Sequence, residues 1–112
     1  ANSALAWPAS AQAVEGSPGM QALIASTPYA IGYLDAGHGH SKDFAEVKLT
    51  NAAGTTQTSK ESIALGGVGD AGSQGLANNV FPSTSDSDWS AVNLYNMAGA
   101  NTWPIVLVSY FY

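Results

Sequence analysis

The sequence predicts a mixed α/β fold that is richer in strands than in helices. Residues 29–34 and 105–112 are apolar and rich in the β-branched and aromatic side chains typical of strands. Residues 44–50 alternate between polar and apolar, whereas helical spacing is clear only near residues 17–26. With 112 residues, we expect one domain at most, spanning residues 1–112, with a Gly- and Ser-rich irregular segment at 66–89.

The predicted helix begins at a short Ser-Pro sequence. Ser17 is expected to be its N-cap and Pro18 its first residue, because a proline there gives up an N–H that has no helical partner in any case. The apolar residues that follow share one face: Met20, Leu23 and Ile24. Thr27 precedes a proline and is therefore expected to end the helix.

Four segments are predicted as strands. Tyr29–Leu34 is apolar almost throughout, as in a strand covered on both faces, and Phe44–Thr50 has one polar face. Val92–Tyr95 is a short strand, and Ile105–Tyr112 is the most β-prone segment of the chain. Because an exposed strand of that kind is an aggregation hazard, we expect it to be paired within the chain or covered by a partner.

Turns and loops are predicted for the middle of the chain. Asn51–Gly54 is expected to form a turn, with a short extended return at Thr55–Thr58. Lys60–Leu65 has a weak helical pattern, but five glycines between residues 66 and 75 argue against a long helix there. Residues 78–89 are polar and are predicted to form a loop.

Charge and composition exclude several kinds of partner. The chain has 8 acidic residues, 3 lysines and no arginine, so its formal net charge is -5. Nucleic acids and anionic membranes are bound by clustered Lys and Arg, so neither is an expected partner. The absence of cysteine excludes disulfides and Cys-based zinc sites. No apolar run approaches the roughly 20 residues that span a bilayer, and no membrane insertion is expected.

Two segments are candidate metal sites. His38 and His40 lie close in sequence to Asp35 and Asp43, but two histidines separated by one glycine share an ion only in a preorganised loop. A Gly-rich turn with solvated histidines is the alternative that we favour, so no metal site is predicted. Ser83–Asp88 lacks the ligand order of a calcium loop, and a solvated acidic loop is predicted there.

The sequence contains no arrangement of residues that supports catalysis. Gly66-Gly67-Val68-Gly69 has neither the leading strand nor the following Gly-Lys-Ser/Thr of a phosphate-binding loop. The serines and histidines lack the strand–Gly-x-Ser-x-Gly–helix context of a hydrolase. We therefore predict that the chain is not an enzyme and uses no cofactor.

A series of short segments carries a resemblance to one family. Thr27–Asp35 (TPYAIGYLD) is similar to the motif Thr-Pro-Gly-x-Ile-Gly-Tyr-Val-Glu, and Val47–Gly54 to the strand and turn that follow it. Other similar segments occur in the matching order: Trp7-Pro8-Ala9, Glu15–Gly19, Asp88-Trp89, Asn93-Leu94 and Trp103-Pro104-Ile105. Together they resemble the phosphate-binding proteins of ABC phosphate transporters, which are periplasmic solute receptors.

The resemblance implies part of a type II periplasmic-binding-protein-like domain, with a mixed sheet and one or two short helices. It also implies a periplasmic or secreted protein. The residues that hold phosphate in this family, an Arg among them, lie upstream of the part resembled and have no counterpart here. Tyr29 stands where the family usually has Gly, and His38-Gly39-His40 replaces a Tyr/Ala-rich helical stretch.

Two hypotheses for the function follow from the resemblance. In the first, the chain is a fragment of a non-enzymatic phosphate-binding-protein-like protein, and inorganic phosphate binds only to the complete protein. In the second, a module derived from that fold is a structural subunit, such as a component of an extracellular filament or coat. The expected partners are therefore the missing remainder of the fold or copies of the chain itself.

Overall fold

The computed structural model describes residues 5–110, which are mostly helix and coil. Four helices and one two-stranded sheet occur among them: α1 (Gly16–Ser26), α2 (Ala36–Ser41), β1 (Leu49–Thr50), β2 (Thr56–Gln57), α3 (Ser59–Ala64) and α4 (Gly67–Ala77). The prediction of a strand-rich α/β fold, and with it the implied type II periplasmic-binding-protein-like sheet, is therefore wrong. The chain divides into two compact units, Ala1–Phe44 and Ala45–Tyr112.

The predicted strands fail because they lack backbone partners. Within the described ranges, Ile31–Leu34 and Ile105–Ser109 make no backbone hydrogen bond, and only the last two residues of Phe44–Thr50 pair. Val92–Tyr95 belongs to no sheet. A strand is stabilised by its ladder and its cross-strand neighbours, so a β-prone composition alone does not form one. Phe111 and Tyr112, the end of the last predicted strand, lie outside the described residues.

The predicted turn at Asn51–Gly54 and the extended return after it are confirmed. β1 and β2 pair antiparallel, with Thr50 opposite Thr56. The Gly54 N–H donates to the carbonyl oxygen of Asn51 at 2.9 Å, and Gly54 has a φ of 83°. Glycine adopts this left-handed conformation without a steric penalty, so local turn chemistry produces the hairpin.

In the first unit, the predicted helix is confirmed as α1, but Ser17 is not its N-cap. The N-cap is Glu15, whose side chain makes no capping hydrogen bond. The Ser17 hydroxyl instead accepts a hydrogen bond from the Asp35 N–H at 3.4 Å. Gln21 Nε2 donates to the carbonyl oxygen of His38 at 2.7 Å. These two bonds tie α1 to α2 and to the residue that precedes α2.

A tight turn after α1 holds Tyr29 in a left-handed conformation. The Ala30 N–H donates to the carbonyl oxygen of Thr27 at 3.2 Å, so Pro28 and Tyr29 are the central residues of the turn. Tyr29 has a φ of 62° and a fully exposed side chain. A proline followed by a residue with positive φ is typical of a type II turn, which favours glycine in the second place. The motif that Thr27–Asp35 resembles has glycine at the position of Tyr29, and glycine adopts this left-handed conformation readily.

We expect Tyr29→Gly to stabilise the first unit by about 0.5–1 kcal/mol. Left-handed φ costs a non-glycine residue about 1–2 kcal/mol, and the larger unfolded-state entropy of glycine offsets part of this gain. Because the ring is exposed, its removal loses little packing. Urea unfolding followed by circular dichroism measures the change. Asn79→Gly, at a φ of 53°, is the matched control and should gain less, because Asn tolerates this conformation. A lower unfolding midpoint for Tyr29→Gly would contradict the strain argument.

In the second unit, the helix predicted after Ser59 is confirmed as α3, which begins with a capping box. Thr58 Oγ1 accepts from the Glu61 N–H at 3.1 Å, and Glu61 Oε2 accepts from the Thr58 N–H at 2.7 Å. Lys48 Nζ lies 3.0 Å from Glu61 Oε1. The Thr58 N–H and the Lys48 ammonium hold the pKa of the Glu61 carboxyl below its usual value, so this cap stays ionised at neutral pH.

α4 forms although four of its eleven residues are glycine. The prediction of an irregular segment at 66–89 is therefore wrong for residues 67–77. Two of the glycines lie where no side chain fits: a Cβ at Gly67 would collide with the carbonyl oxygen of Asn101, and one at Gly75 would lie 2.6 Å from Leu94 Cδ2. Close packing at these two positions stabilises a helix that has a low intrinsic propensity.

The second unit has a small apolar core beside α4. Its buried members are Ala71, Leu94 and Val106. Partly buried side chains surround them: Val80, Phe81, Met97, Trp103 and Val108. Both Leu94 and Val106 come from segments without regular secondary structure, so the core positions those two segments against the helix.

Candidate functional site

Two segments of the second unit run beside each other and are joined at both ends. We call residues 89–96 and 104–110 together the ribbon. At one end, the Asn96 N–H donates to the carbonyl oxygen of Pro104 at 2.8 Å. At the other end, the Tyr110 hydroxyl donates to the carbonyl oxygen of Trp89 at 3.3 Å, and the two rings meet edge to face. Because residue 96 meets 104 and residue 89 meets 110, the two segments are antiparallel.

A cleft of about 400 Å³ lies between the two segments of the ribbon. Residues 89–95 form one wall, and residues 106–108 and 110 form the other. The cleft is half open to solvent, and its walls combine aromatic and aliphatic side chains with backbone groups.

The second segment of the ribbon has the burial pattern of a strand without its hydrogen bonds. Val106 is 7% exposed, whereas its neighbours Ile105 and Leu107 are 57% and 76% exposed. This alternation places one face on the core and the other in solvent. In the part of the chain that the structure describes, the backbone groups of residues 105–109 have no hydrogen-bond partner. We call residues 105–109 the free edge.

A buried amide fixes the loop that leads into the second segment of the ribbon. Asn51 is 5% exposed. Its Nδ2 donates at 3.1–3.2 Å to three backbone carbonyl oxygens, those of Gly99, Ala100 and Thr102. Its Oδ1 accepts from two backbone N–H groups at 3.0 and 2.9 Å, those of Ala53 and Thr55. One side chain therefore joins the hairpin turn to the loop at residues 99–102.

Three further side chains hold the same loop. Gln57 Nε2 and Ser62 Oγ donate to the carbonyl oxygen of Asn101 at 2.8 and 2.7 Å. Thr102 Oγ1 donates to Asp70 Oδ2 at 3.0 Å. The loop is thereby anchored to β2, α3 and α4, and the direction in which the ribbon leaves it is set by buried polar contacts.

His38 and His40 lie on α2, a short helix where a Gly-rich turn is predicted. His38 Nδ1 is 3.4 Å from Asp35 Oδ1, and Asp35 also caps α2 by accepting from the Gly37 N–H. The hydrogen bond from His38 is the main cause that lowers the pKa of the Asp35 carboxyl. Across residues 5–110, no group of three or more His, Cys, Asp or Glu side chains converges in a way that could hold a metal ion.

The acidic loop at Ser83–Asp88 is exposed and borders the ribbon. Trp89 Nε1 donates to the carbonyl oxygen of Thr84 at 3.2 Å, and the Ser90 N–H donates to Asp88 Oδ1 at 2.9 Å. Hydrogen bonds from Thr84 and from Ser90 lower the pKa of the Asp86 and Asp88 carboxyls, respectively. Since Ser90 lines the cleft, the Asp88 carboxylate places negative charge beside it.

The described residues offer poor sites for a dehydrated phosphate, which needs an Arg or converging N–H donors at a helix N-terminus. Arginine is absent from the chain, and Lys48 is paired with Glu61. The first residue of α4, Gly67, is buried against the carbonyl oxygen of Asn101, and Asp70 occupies the first turn of that helix. Each of these features disfavours the binding of an anion.

The ribbon and the Asn51 amide are the parts of the site that sequence reasoning misses. The sequence identifies Asn51 only as a turn residue, and nothing in it indicates contact with a loop 48–51 positions away. One signal for the ribbon is present, since no charged residue occurs from position 89 to position 112.

Comparisons with protein families, with curated proteins and with solved structures find no match to this chain. In residues 5–110, the helices are too short or too polar to cross a membrane. The interpretation of the site accordingly rests on its own geometry.

Proposed function

We propose that this chain is a non-enzymatic, periplasmic or secreted module that resembles part of a phosphate receptor but holds no phosphate by itself. Its role is to combine with the remainder of a longer receptor-like polypeptide. Inorganic phosphate binds only after that remainder supplies the anion contacts.

The observation that carries the proposal is the free edge. Five consecutive residues have unpaired backbone groups within the described chain, and their apolar side chains alternate between core and solvent. Backbone polar groups that a fold leaves unpaired are satisfied by water or by another chain, and an apolar edge favours another chain. In the first unit, Ile31–Leu34 likewise makes no backbone hydrogen bond to a described residue, and Ile31 and Tyr33 are exposed.

The negative charge of the chain supports the part of the proposal that concerns phosphate. The net charge of -5 repels phosphate, and two carboxylates, Asp70 and Glu15, lie at the starts of the two longest helices.

Titration calorimetry of the 112-residue chain with inorganic phosphate tests this function. We expect no saturable heat up to millimolar phosphate, because the chain has no Arg and because Glu15 and Asp70 place negative charge at the starts of α1 and α4. Saturable binding with a stoichiometry of one would contradict the proposal.

A second candidate is a structural subunit that assembles with copies of itself. The observation that favours it is the exposure of Ile105 and Leu107 in a stretch of the chain without charged residues. Sedimentation analysis at micromolar concentration separates the two candidates. A monomer would eliminate the assembly hypothesis, whereas a defined oligomer would favour it.

A further inference from the structure

We propose that the free edge binds an extended peptide strand that has apolar residues at every second position and a lysine or arginine at one end. This inference rests on the proposed function, because it names the chemistry of the strand that completes the second unit. The recognition mode is strand addition, in which main-chain hydrogen bonds supply affinity and alternate side chains supply specificity.

The backbone of the free edge is the first reason. A strand that runs along residues 105–109 can exchange N–H···O=C bonds with groups that have no other partner in the described chain.

The side chains of the edge are the second reason. Ile105 and Leu107 point away from the core, with 57% and 76% exposure, and provide an apolar surface for alternate residues of an added strand. Leu107 also lines the cleft, together with Val106 and Val108. An added strand therefore needs apolar residues at every second position.

Charge is the third reason for the proposal, and it indicates which residues flank the apolar part of the added strand. The ribbon itself is uncharged, but the Asp88 carboxylate is hydrogen-bonded to Ser90 at the border of the cleft, and Asp86 lies two residues before it. Both carboxylates belong to a chain with a net charge of -5. A basic end on the added strand is attracted to this border, whereas a second copy of the chain brings the same negative charge.

Fluorescence anisotropy with two labelled peptides tests the proposal. The probe is Lys-Val-Thr-Val-Thr-Val-Lys, and its control has Glu in place of both Lys residues. With the 112-residue chain, we expect saturable binding of the Lys peptide and at least about tenfold weaker binding of the Glu peptide at low salt. Equal binding of the two peptides, or no binding of the Lys peptide, would overturn the proposal.

A pair of matched variants locates the binding surface. Leu107→Lys places a charge on the free edge, and Leu76→Lys makes the same change at a similarly exposed position on α4. We expect Leu107→Lys to weaken binding of the Lys peptide at least about tenfold and Leu76→Lys to change it less than about twofold. Amide exchange by NMR adds a structural readout, since the amides of residues 105–109 should become protected when the peptide binds.

The other possible results of the peptide experiments can be distinguished from the results of the phosphate titration. Equal peptide affinity of Leu107→Lys and the unchanged chain would show that the edge is not the site. Self-association that Leu107→Lys abolishes would identify a second copy as the occupant and overturn the proposed basic strand. Phosphate binding by the isolated chain would contradict the proposed function but would leave the peptide result to be judged on its own.

Discussion

Replacing Gly67 by alanine is expected to destabilise the second unit by about 2–3 kcal/mol. Gly67 is buried, and a Cβ there would collide with the carbonyl oxygen of Asn101 and with Ser62 Oγ. These two atoms are hydrogen-bonded to each other, so neither can move without breaking a buried contact. Alanine has the higher helix propensity by about 1 kcal/mol, but the steric cost exceeds this gain.

Gly72→Ala is the matched control for Gly67→Ala. It lies in the same helix, and its Cβ would meet nothing within 4 Å. The substitution therefore changes stability only through the higher helix propensity of alanine. We expect a gain in stability of about 0.5–1 kcal/mol. Urea unfolding, followed by circular dichroism and Trp fluorescence, measures both variants. If both substitutions shift the unfolding midpoint in the same direction, the close approach of α4 to Asn101 does not determine its stability.

Local signals explain which parts of the fold the sequence predicts. The 3.6-residue spacing before Thr27-Pro28 predicts α1, and the Asn51–Gly54 turn predicts the hairpin, because the deciding interactions lie within a few residues. The weak helical pattern at Lys60–Leu65 predicts α3, and the capping box that the structure shows at its start is also a local interaction.

The failures of prediction have a common physical cause, which is dependence on distant partners. Ile105–Tyr112 has the composition of a strand, but a strand exists only where a second backbone pairs with it. α4 has the composition of a flexible linker, but Gly67 and Gly75 allow it to pack closely on Asn101 and Leu94. In both cases the local composition reports only one partner of a contact, and the other partner lies many residues away in the sequence.

The candidate site shows the same limit. His38 and His40 are two positions apart in the sequence, but they lie on a helix, and no group of three side chains that could hold a metal ion forms among the described residues. The ribbon is assembled from residues 89–96 and 104–110, whose spacing depends on the loop that Asn51 holds. The loop that joins the two segments of the ribbon is thus held by a buried amide that has no recognisable motif.

Asn51→Ala is expected to lower the stability of the second unit by about 3 kcal/mol, because buried backbone groups at both ends of the amide lose their partners. Three carbonyl oxygens of residues 99–102 lose a shared donor, and the N–H groups of Ala53 and Thr55 lose an acceptor. Asn78→Ala is the control. Asn78 is exposed, its Nδ2 makes one bond to the carbonyl oxygen of Gln74, and its loss should cost less than about 0.5 kcal/mol.

Asn51→Asp separates the role of the donor from that of the acceptor. The substitution keeps an oxygen for Ala53 and Thr55 but directs a carboxylate at three carbonyl oxygens, so burial and repulsion raise the pKa of the introduced group in the folded state. An acid whose folded pKa is raised favours folding in its protonated form, and this variant should therefore gain stability relative to Asn51→Ala as the pH falls towards 4 or so. Urea midpoints of both variants at several pH values measure the effect. A difference between them that does not change with pH would mean that the Asn51 amide does not donate to the loop, and the positioning of the ribbon would then require another cause.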